Sequence, residues 1–199
     1  MTIEDAKAQL IAAALRDRET RARLAQSGAL FDGYNPQMEA VHLENAALLE
    51  GVIAALGWPD RARFGDDGAA AAFLIAQHAI SRPDLQRAAL AHILDGVERG
   101  AASLIDAAYL ADRIAVFEGR PQRFGTQFDW DADGALSPAP ILAPEGVDAR
   151  RAEIGLPPMA EAIAAMRAQA SAEGAGPPRD LQARRAAFEA WARKTGWRP

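Results

Sequence analysis

The chain has 199 residues, a net charge of −5 and no Cys. The lack of Cys excludes a disulfide scaffold, thiolate-bound zinc, iron–sulfur clusters and thiol nucleophiles. The acidic balance, with no basic run, leaves no electrostatic footprint for nucleic acid. No run reaches the roughly 18 consecutive apolar residues that span a bilayer. Met1–Asp5 lacks the basic and apolar regions of a secretory signal, so a cytoplasmic location is expected. A chain of this length can fold as one domain that buries roughly 70% of its unfolded surface.

Forty-eight residues are Ala, close to a quarter of the chain. With Leu, Arg and Glu also abundant and β-branched residues sparse, the fold class is mainly α, a helical bundle. Residues 3–26 carry one or two amphipathic helices. Asn35-Pro36 reads as an N-cap followed by Pro at the first helical position, which opens a helix to about Leu56. Gly57-Trp58-Pro59 ends it. Helices follow from about Gly68 to Ile80, from Ser81-Arg82-Pro83 to near Gly100, and from Ala101 to Glu118, where Gly119 stops the chain. Phe124–Trp130 and Ala135–Ile141, joined by Asp131–Gly134, read as a short β-hairpin. Pro138 and Pro140 confine its second arm to an edge. Short helices are expected near Asp148–Ile154 and Pro158–Ser171, then a linker to Pro178 and a last helix over Arg179–Lys194. Three segments result: an N-terminal helical extension (1–34), a helical core with the hairpin (35–170), and a linker with the C-terminal helix (171–199).

Helical-wheel positions give the strongest functional signal. Asn45 lies at the centre of the apolar stripe of its helix, and His42 lies between Leu49 and Ile53. The stretch from Gly68 to Ile80 has no charged side chain, so Gln77 and His78 should be shielded from water. Gln86 and Asp112 also fall inside apolar stripes. A buried polar group without a partner costs on the order of 1–3 kcal/mol, and a charge costs more. Four helices each carrying such a residue suggest that His42, Asn45, Gln77, His78, Gln86 and Asp112 meet in one cluster. The Ala around them either leaves space for a pocket or simply permits tight packing. The cluster can equally be a network that only sets helix register.

Several of these residues also carry a resemblance. Gly57-Trp58-Pro59, Gln77-His78, Asp112-Arg113, the stretch Gly119–Gln127, and Val147–Pro157 resemble blocks of an uncharacterised bacterial domain family of unknown function. The similarity runs over roughly residues 35–165. The family block has Tyr where this chain has Phe124, so any role for that hydroxyl is absent here. The resemblance implies a shared polar site and supplies no reaction.

The enzymatic hypothesis makes His78 the acid–base group and Asp112 its orienting carboxylate. Arg113 or the Gln127 amide would hold an anionic or amide-bearing ligand. Gln122 and Thr126 add uncharged donors and acceptors, and Asn45 and His42 serve as supports. Thr126 is the better hydroxyl nucleophile, and no nucleophile elbow is present. His42, His78 and Asp112 could form a two-His, one-carboxylate metal set, but no His-x-x-x-His spacing supports it. No metal or cofactor is therefore assigned. The expected partner is a small molecule or peptide, with no nucleic acid and no membrane, and a homo-oligomer is left open. The alternative is a non-catalytic interaction module whose cluster is structural, with Trp58, Trp191 and Trp197 available to an interface.

Overall fold

The computed structural model describes residues 1–30 and 33–199. Among these residues the fold is mainly α, with eight helices and one two-stranded antiparallel hairpin. The helices are α1 (Ile3–Gln26), α2 (Pro36–Leu56), α3 (Arg61–His78), α4 (Pro83–Glu98), α5 (Leu104–Phe117), α6 (Val147–Glu153), α7 (Met159–Ala172) and α8 (Leu181–Thr195). No helix among the described residues is long and apolar enough to cross a membrane. The chain divides into two compact units. One comprises residues 1–30 and 34–107, and the boundary to the other falls inside α5, after Ala107.

In the first unit, α1 packs against α2 and α3. Thr2 and Asp5 form a capping box that starts α1. Asn35 caps α2, with Pro36 in its first turn. α3 begins earlier than the sequence pattern suggests, because Asp60 accepts a hydrogen bond from the Arg63 amide and opens a first turn. Gly65 then breaks the helical path at φ 69°. A residue with a side chain resists this left-handed region, whereas Gly enters it without steric cost. The longer, Ala-rich part of α3 resumes beyond that kink. The core combines large side chains (Leu10, Leu49, Val52, Phe64 and Ile75) with fully buried Ala6, Ala46, Ala72 and Ala76. Small residues at these positions let the helix backbones approach closely. The Ala surplus therefore serves packing in this unit.

In the second unit, β1 (Phe128–Trp130) pairs with β2 (Leu136–Pro138), Phe128 facing Pro138 and Trp130 facing Leu136. Each arm has three residues, shorter than the sequence suggests. The Asp131 carboxylate organises the turn, accepting from the Asp133 and Ala135 amides and from the Ser137 hydroxyl. Phe188, Trp191 and Trp197 gather around Phe117 at 5.2–5.9 Å between ring centroids. Arg198 donates to the Val116 and Phe117 carbonyls and so caps the end of α5.

Phe64 is the largest fully buried side chain in the first unit. Phe64→Ala should lower unfolding stability by about 3–5 kcal/mol. A urea titration followed by circular dichroism checks this.

Candidate functional site

Asp17 lies on the inner face of α1, in register with Leu10, Ala13, Ala14 and Leu24, and is fully buried. Its carboxylate faces two imidazoles from neighbouring helices. Nδ1 of His78, the last residue of α3, lies 3.0 and 2.9 Å from Oδ1 and Oδ2. His42 Nε2, from α2, lies 3.3 Å from Oδ2. The two rings are 5.1 Å apart between centroids. Burial alone would raise the Asp17 carboxyl, but the neighbouring imidazoles of His42 and His78 outweigh it and hold the group well below the usual carboxylate range. Asp17 is therefore ionised in the folded protein.

Accessibility grades across the group. The Asp17 side chain is 1% exposed, that of His42 11% and that of His78 25%. His78 is thus the edge that meets solvent. One ligand atom each from Asp17, His42 and His78 lies within 4.8 Å of the others, so these three residues could hold a metal ion.

A polar shell surrounds the centre. The Tyr34 hydroxyl is 2.8 Å from His42 Nδ1, and its ring stacks on the imidazole at 5.8 Å. Burial first, then the negative charge of Glu39, pushes the Tyr34 hydroxyl above its ordinary value; its hydrogen bond with Ser81 opposes the shift and Asp17 adds to it. Ser81 in turn donates to Glu39 Oε1 at 2.9 Å. Asn45 ties α2 to α1: its amide donates to the Ala13 carbonyl at 3.2 Å, and its oxygen accepts from Arg16 at 3.0 Å. Gln86 donates to the Ala76 and Gln77 carbonyls at 2.8 and 2.9 Å and closes the end of α3 beside His78. Gln77 is itself buried.

The polar residues expected to form one cluster therefore divide. His42, Asn45, Gln77, His78 and Gln86 belong to the first unit, and Asp112 belongs to the second. The carboxylate on His78 is Asp17, which corrects the expected pairing with Asp112. Asp112 serves the backbone: Oδ1 accepts from the Arg123 and Phe124 amides at 2.7 and 3.1 Å. Oδ2 accepts from the Thr126 amide and hydroxyl at 3.0 and 3.1 Å.

The other candidates of the second unit hold one another. Gln122 is fully buried; its amide donates to the Gln127 and Ala139 carbonyls, and its oxygen accepts from the Gln127 amide. The Gln127 side chain donates to Thr126 Oγ1 and accepts from Arg113 Nε. Burial pushes the Arg113 guanidinium down to about 10. Arg150 and Arg151 secure the same loop from outside, on the carbonyls of Arg123 and Phe124 respectively. At Gly125, φ is 68° and an added Cβ would lie 2.5 Å from Met159 Sδ, so the loop also needs Gly there. Thr126 donates its hydroxyl proton to Asp112.

Wheel positions in α2 and α3 located both imidazoles. The carboxylate lies on α1, in the segment that reads as a helical extension, outside the helices whose apolar stripes suggest the cluster. The run Leu10, Ala13, Ala14, Asp17, Leu24 carries the same signal as Asn45 and Asp112: one charged residue in an apolar stripe.

The first unit is thus a helical domain built around a buried Asp/His/His centre. Residues 4–174 match a family of unknown function, DUF6624, and the chain belongs to that family. The match reaches back into α1 and so includes Asp17. No curated protein and no solved structure matches the chain.

Asp112→Asn would place an amide donor against a ring of N–H donors. It should destabilise the protein by about 1–3 kcal/mol, read from a denaturant midpoint.

Proposed function

We propose that the first unit binds a small polar molecule at the open edge of the Asp17–His42–His78 centre and transfers a proton to or from it through His78. One observation carries this reading: a buried, ionised carboxylate holds the Nδ1 side of an imidazole that remains one-quarter exposed. A carboxylate on Nδ1 fixes the tautomer, makes the opposite ring nitrogen the basic one and stabilises the imidazolium that forms. Asn45 and Gln86 hold the flanking backbone, and Gln77 precedes His78 on the same turn. The ligand class is small and polar, because only the edge of one imidazole is offered.

The test uses p-nitrophenyl acetate as a probe of imidazole reactivity. His78→Ala should lower its turnover at least about 100-fold, within the range of a general acid or base, while circular dichroism stays native. Asp17→Asn should lower it as well. Turnover equal to wild type in both folded variants overturns the proposal.

A second reading is favoured by the placement of the three residues on three different helices. The cluster then joins α1, α2 and α3 without chemistry, in a module that binds a partner elsewhere. Simultaneous Asp17→Leu, His42→Leu and His78→Leu should then keep or raise the melting temperature, since apolar replacement of a buried ionic group is often stabilising. A fall in melting temperature together with lost probe turnover excludes it.

A further inference from the structure

His42 is engaged on one side of its ring. Its Nδ1 lies 2.8 Å from the Tyr34 hydroxyl. Its other ring nitrogen, Nε2, is buried and makes no hydrogen bond.

Nε2 faces Asp17 Oδ2 at 3.3 Å. His78 Nδ1 meets the same carboxylate from another helix, at 3.0 and 2.9 Å from its two oxygens. An ionised carboxylate and a buried imidazole nitrogen without a hydrogen bond are thus held together in a site shielded from water, and a cation between them satisfies both.

We propose that Asp17, His42 and His78 bind one divalent transition-metal ion of the zinc, cobalt(II) or iron(II) type. The donor set is two imidazoles and one carboxylate, which suits these ions and leaves coordination positions open. Metal–ligand bonds of about 2.0–2.2 Å place neighbouring donors about 3 Å apart at the right angles of a six-coordinate site and about 3.4 Å apart in a tetrahedral one. The separations from Asp17 Oδ2, 2.9 Å to His78 and 3.3 Å to His42, match these spacings closely. The Tyr34 oxygen on His42 Nδ1 is the outer partner that a metal-bound imidazole requires. On binding, the His78 proton moves from Nδ1 to Nε2 by exchange with water, and the neutral imidazole gives the freed Nδ1 lone pair to the ion. A bound ion would supply Lewis-acid activation of water at its open positions, with Asp17, His42 and His78 holding it.

This inference rests on the same centre as the acid–base reading, and the experiment separates them. The full chain is stripped with chelator and titrated with Co2+ alone, following the visible d–d absorption and the heat of binding. One equivalent should bind and give bands that disappear in Asp17→Asn and His42→Ala. Tyr34→Phe keeps all three ligands and should weaken binding about 10–100-fold, the usual effect of losing an outer partner. Circular dichroism of each variant shows that the fold is retained. The inference is overturned if folded wild-type protein takes up no stoichiometric Co2+, or if binding is unchanged in Tyr34→Phe and His42→Ala. His78-dependent hydrolysis of p-nitrophenyl acetate by stripped protein that binds no Co2+ would leave the acid–base reading standing alone. Stoichiometric Co2+ with no His78-dependent hydrolysis would do the reverse.

Discussion

The first unit depends on keeping one carboxylate charged inside a helical core. Removing an ion from water costs several kcal/mol even after relaxation, more than a typical domain can spare. Asp17 meets that cost with two imidazoles, each from a different helix. The charge therefore constrains geometry. A slip of α2 or α3 by one residue would turn His42 or His78 away and leave the carboxylate unpaired. Apolar packing among Ala-rich helices tolerates sliding far better, since one Ala looks much like the next. Asp17 supplies the specificity that such a core lacks.

The second unit solves a similar problem by different means. Asp112 is as deeply buried as Asp17, but backbone amides and one hydroxyl surround it. Backbone amides have one protonation state and one direction, so that site is closed to chemistry and well suited to holding a loop. The partners of Asp17 are imidazoles, which can carry, lose or exchange a proton and can donate lone pairs. Two buried carboxylates of one chain thus differ in what they can do because their partners differ.

Much of the fold was legible because its signals are local. The Asn35-Pro36 start, the Gly57 stop and the Gly119 stop act over one or two turns. The extra turn of α3 was missed because Asp60 and Gly65 write a start and a break within five residues, and the Gly reads as a plain interruption. Polar residues on apolar faces marked His42, Asn45, His78 and Asp112 correctly as buried or partly buried positions. Which of them share a partner is a tertiary question. Asp17 and His78 are 61 residues apart, and no sequence period joins them. The Gly119–Gln127 block looked like ligand-binding chemistry because amides and hydroxyls serve a loop and a ligand equally well.

The turn after α3 binds these points together. His78 ends the helix, and Ser81, three residues later, donates to Glu39 on α2. The turn itself is closed by the Ile80 amide on the His78 carbonyl and by the Arg82 amide on the Ala79 carbonyl. Gln86 pins the last carbonyls of α3 from the following helix. Length is therefore fixed here to the residue: one inserted or deleted position would move His78 and Ser81 relative to each other and break both ends of the centre at once. This turn can therefore take a change of side chain far more easily than a change of length.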